Sequence, residues 1–192
     1  MKLIKTNIDS IIIIEPRIFG DHRGYFMESF SENWFTQHIR HTHFVQDNES
    51  CSKYGVLRGL HFQKPPHAQS KLVRVVKGKV LDVAVDIRKG SPTFGQHVAT
   101  ILSEENKRQL FVPRGFAHGF VVLSNDTIFQ YKCDNYYAPQ SEGAIAYNDP
   151  ALNIDWQIME SEIQLSDKDK HNPLLKDTDY LFDFNQDLYN DK

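Results

Sequence analysis

The sequence predicts an all-β fold built from two packed sheets, of the jelly-roll kind. Three observations lead there. The stretch from Leu81 to Arg88 alternates without a break: Leu81, Val83, Val85 and Ile87 share one face, and Asp82, Ala84, Asp86 and Arg88 share the other. Many further short segments rich in β-branched and aromatic residues follow one another at similar spacing. Gly and Pro punctuate them at Gly20-Asp21, Lys64-Pro65-Pro66, Gly90-Ser91-Pro92, Pro113-Arg114-Gly115 and Ala138-Pro139.

Taken in order, the first strand is Ile11–Ile14, closed by Glu15-Pro16. Gly24–Phe30 is the second, and a short helix is expected over Glu32–Ile39. Strands follow at Phe44–Ser50 and Val56–Phe62. Leu72–Val76 then joins Leu81–Arg88 through Lys77-Gly78-Lys79, a hairpin signal. The remaining strands are His97–Leu102, Gln109–Val112, Gly119–Leu123, Ile128–Cys133 and Gly143–Tyr147. After Asp149-Pro150 the chain turns rich in Asp, Asn, Lys and Leu, which predicts helical turns and loops wrapped on the core. No linker or repeat divides the 192 residues. One domain over 1–192 is expected, with a barrel at about 11–150 and an extension at about 151–192.

Composition narrows the function. The formal net charge is -3, so no basic excess points to nucleic acid. The longest aliphatic run, Ile11–Ile14, falls far short of the ~20 apolar residues that span a bilayer. Cys51 and Cys133 are too few for a disulfide framework. A cytoplasmic protein is expected.

Two segments carry candidate chemistry. Arg58-Gly59-Leu60-His61-Phe62-Gln63 mixes Arg, His and Gln into an apolar strand, as a pocket wall would. Strict alternation puts His61 with Gly59 and Gln63 and turns Arg58 away. Either Arg58 serves elsewhere or a bulge near Gly59 re-aims it. By residue type alone, His61 fits a hydrogen-bonded structural histidine as well as a catalytic one. The second segment is Pro113-Arg114-Gly115-Phe116-Ala117-His118-Gly119-Phe120. Its Pro-x-Gly-x-x-His pattern resembles the second signature of the cupins. The His-x-His pair and glutamate that would complete a cupin metal site are missing, since the chain reads His61-Phe62-Gln63. His41-Thr42-His43 lies outside that context. One ligand of four does not hold a transition metal, so no metal is expected.

A narrower resemblance follows from motifs in a shared order. These are Asp21-His22-Arg23-Gly24-Tyr25-Phe26, Gln46-Asp47-Asn48, Arg58 to Gln63, Lys71-Leu72-Val73-Arg74, Asp82 to Arg88, Ser91-Pro92-Thr93-Phe94-Gly95, Pro113 to Phe120, Tyr131-Lys132-Cys133, Tyr136-Tyr137 and Leu165-Ser166-Asp167-Lys168-Asp169. Together, from about Ile11 to Leu175, they resemble the dTDP-4-dehydrorhamnose 3,5-epimerases. The resemblance implies a cupin-like, double-stranded jelly-roll barrel with a few short helices, mostly C-terminal. It implies inversion of C3 and C5 of a dTDP-4-keto-6-deoxyhexose, in dTDP-L-rhamnose biosynthesis, with no cofactor because the substrate's ketone is the electron sink. A C3-only or C5-only epimerase and a non-catalytic carbohydrate-binding jelly roll are the alternatives.

Residue roles come from the same resemblance. His61 would be the base, Asp169 its orienting carboxylate, Lys71 the stabiliser of the enolate and Tyr131 the opposing acid. Arg23, Glu28, Gln46, Asp47, Asn48, Arg58, His118, Tyr137, Glu142 and Lys168 would bind substrate, some of them across a homodimer with exchanged N-terminal strands. Two departures are visible: His97 stands where family members often have Trp, and Arg114 where they often have an acidic residue.

Overall fold

A computed structural model describes residues 1–190, which form fifteen strands and one α-helix. The N-terminal part holds β1 (Lys2–Lys5), β2 (Ile12–Glu15), β3 (Ile18–Asp21), β4 (Gly24–Met27) and the helix α1 (Glu32–His38). The barrel continues with β5 (Gln46–Ser52), β6 (Leu57–Gln63), β7 (Lys71–Lys77), β8 (Lys79–Asp86), β9 (Arg88–Lys89), β10 (His97–Ser103), β11 (Gln109–Val112), β12 (Phe116–Val122), β13 (Thr127–Cys133) and β14 (Glu142–Ala144). A two-residue β15 (Phe182–Asp183) closes the order. One sheet has six strands, in the order β1-β2-β11-β7-β13-β5, and the other five, β10-β8-β12-β6-β14.

The alternation in β8 holds. Leu81, Val83, Val85 and Ile87 pack under the C-terminal segment, while Ala84 faces the core between the sheets. Both faces are buried, so Asp82 and Asp86 are buried too, each fully covered. The inter-sheet core is built from alternate residues of facing strands: Val73 and Val75, Phe116, Phe120 and Val122, and Phe129. Phe120 and Phe129 stack across it with ring centroids 4.1 Å apart, a contact worth ~0.5–1.5 kcal/mol beyond burial.

Several expected boundaries shift. Gly24–Phe30 shortens to β4, Leu81–Arg88 divides into β8 and β9, and β1 and β3 lie outside the expected strands. The helix is as expected, one residue shorter. Ser31 caps it by accepting from Trp34 N, and Glu32 and His38 match the helix dipole. Seven residues are too few to be stable alone; Phe35 anchors them against Phe111, 5.2 Å between centroids, on the outer face of the six-stranded sheet. After Pro150 the chain makes 3₁₀ turns at Glu160–Glu162, Asp169–His171 and Leu175–Asp177 and covers the outer face of the five-stranded sheet with Leu152, Trp156, Leu175 and Phe182.

Asp86 shows what holds the rim. Its carboxylate accepts from Arg88 Nε and Nη2 at 2.8 and 2.7 Å, and from the Ser91 and Thr93 hydroxyls, both at 2.6 Å. Burial raises its pKa, but those hydrogen bonds outweigh it, and the carboxyl titrates below its ordinary value. Asp86→Asn should therefore cost about 3 kcal/mol, as expected for breaking a largely buried pair. A depressed folded pKa gives stability that is present above the unfolded carboxylate value and is lost as pH falls through the folded one. The gap between wild type and variant in urea melts should thus be full at pH 7 and shrink below about pH 4. An equal gap at pH 3 and pH 7 would contradict this account.

Candidate active site

The site opens between the two sheets. β6 presents Arg58 and His61 from the five-stranded wall, although they lie three apart and strict alternation would separate them. The register explains it: His118 on β12 pairs with His61, but Phe120 pairs with Arg58, so β6 carries one extra residue between those pairs. The bulge sits at Gly59-Leu60, sends Leu57, Leu60 and Phe62 to the outer core and turns both Arg58 and His61 to one cavity. Gly59 has φ 129°, and a Cβ there would lie 2.5 Å from Gly119 Cα and 2.8 Å from His118 O.

That cavity measures about 510 Å³. Arg58, His61 and His118 line it from the five-stranded sheet, Lys71 and Tyr131 from the six-stranded one, and Lys168 and Asp169 from the C-terminal segment. An adjoining space of about 310 Å³ shares His61, Lys71 and Tyr131 and adds Gln46, Asn48, Tyr137 and Glu142.

His61 Nε2 lies 2.5 Å from Asp169 Oδ1. A carboxylate accepts, so Nε2 carries the hydrogen and the neutral ring keeps Nδ1 as its basic atom. Asp169 reaches this place because Gln164 hydrogen-bonds with Gly55 and Leu57 at the head of β6, which docks the C-terminal segment beside that strand. Burial raises the Asp169 carboxyl, but the His61 hydrogen bond and charge, with Ser166 and Asn172, hold it below the ordinary value. His61 is about one-third exposed while Asp169 is 4% exposed, so the ring has its carboxylate behind it and open space beside it.

Tyr131 stands on the opposite sheet. Burial, joined by the charges of Cys133 and Tyr137, raises its phenol above the ordinary value, against the pull of Arg58. It stays protonated at neutral pH and can act as a donor. Lys71 Nζ lies 5.8 Å from the Tyr131 ring centroid. Desolvation lowers the lysine pKa, opposed by Cys133, Asp82 and Glu142. The thiol of Cys133, paired with Lys71 in the sheet, is pushed up to about 11 by burial.

Asp82 is a residue the sequence did not bring forward. His118 Nε2 lies 2.9 and 3.1 Å from its two carboxylate oxygens, making a second, fully buried histidine–aspartate pair beside the first. Its signal was present in the alternation of β8, which puts an acid on the face that turns out to be the barrel interior.

Not every expected residue joins the cavity. Gln46 and Asn48 line the adjoining space, but Asp47 reaches neither. Neighbours on a strand point to opposite faces, and Asp47 turns to the outer side of the sheet, 2.9 Å from Lys132 Nζ. Arg23 sits on the β3–β4 hairpin, 79% exposed and bonded to Asp21, and Glu28 follows that hairpin on the surface. Neither reaches the cavity of its own chain. Lys168 reaches it and Glu142 the adjoining space, but they pair with each other, which raises the lysine pKa. Among the described residues no group of three or more His, Cys, Asp or Glu is placed to hold a metal ion, and no helix is long and apolar enough to cross a membrane.

The family model for dTDP-4-dehydrorhamnose 3,5-epimerase matches residues 5–177. A dTDP-4-dehydrorhamnose 3,5-epimerase of Shigella flexneri is 53% identical over 182 residues, covering 94% of this chain and 99% of its own. A dTDP-6-deoxy-D-glucose-3,5-epimerase of Legionella pneumophila, solved with dTDP-4-keto-L-rhamnose, superposes with a TM-score of 0.93 at 53% identity, covering 96% of this chain and 99% of that one. A 3'-monoepimerase of Streptomyces bikiniensis, solved with dTDP-quinovose, gives 0.82 at 34% identity, with coverage of 90% and 87%. The fold is thus that of the epimerase jelly rolls, and the sequence likeness runs almost end to end. The chain belongs to the dTDP-4-dehydrorhamnose 3,5-epimerase family.

Proposed function

We propose that this chain inverts C3 and C5 of a dTDP-4-keto-6-deoxyhexose, giving dTDP-4-dehydro-L-rhamnose for dTDP-L-rhamnose biosynthesis. The observation that carries the mechanism is the opposition of His61 and Tyr131 on facing sheets across one cavity. Inverting a carbon beside a ketone needs a base on one face and an acid on the other. His61, oriented by Asp169, takes the proton through its free ring nitrogen. The electrons move into the C4 carbonyl, and Lys71 stabilises the enolate oxygen electrostatically. Tyr131 returns a proton from the opposite side. The substrate's ketone serves as electron sink, so no cofactor enters. His118, held by Asp82, contacts the sugar near the ketone. Arg58 and Lys168 meet the diphosphate, Arg58 with a guanidinium suited to paired oxygens. Gln46, Asn48, Tyr137 and Glu142 line the adjoining space for the rest of the nucleotide sugar.

We assign Arg23 and Glu28 to the site of a second copy. β5 is an edge strand of the six-stranded sheet, at the end opposite β1, while among the described residues the β3–β4 hairpin pairs only with itself and leaves Phe19, Tyr25 and Phe26 exposed. An open edge is a template for further strands. A homodimer that exchanges these N-terminal strands covers both, and brings Arg23 and Glu28 toward the other chain's cavity. The free thiols of Cys51 and Cys133 suit a reducing, cytoplasmic setting.

Incubating the protein with the 4-keto sugar nucleotide in deuterated water tests the reaction. Deuterium should enter both C3 and C5, with inversion at each. Exchange at one carbon alone would give the monoepimerase reading, and saturable binding with no exchange would leave a carbohydrate-binding protein.

A further inference from the structure

Behind Lys71, outside the cavity, three neighbouring strand ends are tied together. Ser70 precedes β7, Asp134 follows β13 and Arg114 lies just past β11, the strands on either side of β7. Ser70 N donates to Asp134 Oδ1 at 2.6 Å, and Arg114 Nε to Asp134 Oδ2 at 3.1 Å. Ser70 is fully buried, and the Arg114 and Asp134 side chains are 7% and 4% exposed.

Tyr189, from the C-terminal segment, completes the knot. Its hydroxyl oxygen lies 3.0 Å from Arg114 N and 2.8 Å from Ser70 Oγ. A backbone N–H only donates, so the phenolic oxygen accepts from Arg114 and shares a hydrogen with the Ser70 hydroxyl. The Ser70 hydroxyl in turn bonds the Asp134 carboxylate. The tyrosine ring lies against two guanidinium groups, Arg40 at 3.3 Å and Arg114 at 5.0 Å from its centroid, and Arg114 Nη1 donates to Leu188 O at 2.7 Å. Phe182, buried on β15, fixes the other end of the segment. Phe182, Leu188 and Tyr189 lie beyond residue 177, the last one the family model matches, while the strand ends they hold lie within it.

We propose that the strap from Phe182 to Tyr189 positions Lys71, with the Tyr189 hydroxyl as its point of action. Lys71 is the first residue of β7, directly after Ser70, with Val112 and Cys133 as its sheet partners. Its ammonium has no hydrogen bond or ion pair among the described residues; it touches the Tyr131 ring and feels Cys133, Asp82 and Glu142 at longer range. Its place is therefore set by its backbone, at a strand end where sheets fray. Tyr189 ties the residues flanking all three strand ends. A displacement of ~1 Å in a reacting group can cost ~100-fold in rate, so this support reaches the chemistry. Tyr189 is a positioning residue, and the proposal rests on Lys71 as the enolate stabiliser.

Tyr189→Phe keeps the ring between the arginines and removes only the hydroxyl. Its kcat should fall about 5- to 10-fold, the scale of one lost buried hydrogen bond, with KM unchanged, the melting temperature only a few degrees lower and the alkaline limb of the kcat profile displaced. Ser70→Ala should act in the same direction. A wild-type kcat and pH profile in Tyr189→Phe would overturn the proposal, as would a kcat loss that only follows a lower melting temperature. The Lys71 side-chain NMR resonance, assigned by its loss in Lys71→Met, gives a reading independent of turnover. It should move in Tyr189→Phe, and an unmoved resonance counts against the strap. Absence of deuterium exchange in the wild type would instead remove the epimerase reading.

Discussion

His61→Ala is expected to lose about 10³- to 10⁴-fold in turnover, the upper range for a general base, and to lose exchange at both carbons. Affinity for dTDP should hold, because the nucleotide is assigned to Arg58, Lys168 and the adjoining space rather than to the imidazole. The substitution also strips a buried carboxylate of its partner. The carboxylate would keep only its interactions with Ser166 and Asn172, so some stability should go as well. His61→Gln separates the two effects. Its amide nitrogen can stand near the place of Nε2 as a donor to Asp169 without being a base, so melting should recover toward wild type while turnover does not. Full exchange in either variant would remove His61 from its role. Equal recovery of both quantities in His61→Gln would show that the histidine only supports the fold.

The second large effect is expected at Gly59→Ala. The backbone there is in a conformation that L side chains rarely adopt, which costs about 1–3 kcal/mol. The added methyl group would also press on backbone atoms of β12, at Gly119 and His118, which cannot rotate away as a side chain would. Forcing such a contact adds ~1–3 kcal/mol. Relief means separating β6 from β12, the two strands that carry His61 and His118. The variant should therefore melt well below wild type and, where folded, turn over slowly. Chemical denaturation with a parallel exchange assay checks both. Wild-type stability would show that the close approach of the two strands is not needed.

The same glycine marks where sequence and structure part. The alternation of β8, the Gly and Pro breaks and the capped helix after Ser31 are local patterns, so they could be read from the chain, and they fix a two-sheet β fold. The family motifs named His61, Lys71, Tyr131 and Asp169 together. Yet Arg58 and His61 could be placed on one wall only by the bulge in β6, and a bulge is a register choice between two strands that neither states alone. Asp169 sits 108 positions from His61 in a segment whose composition suggests a solvated tail, and only the docking of that segment buries it. Asp82 read as one polar residue of an alternating strand. Its partner His118 became visible once both faces of β8 were covered. Asp47 read as one of a binding run, and the pleat turned it outward. By itself, then, the sequence determined the fold class and, through its family motifs, the family and the chemistry expected of it. The tertiary structure decided which of them meet, because pairing register, strand pleat and the course of the C-terminal segment are set by packing between parts of the chain far apart in sequence.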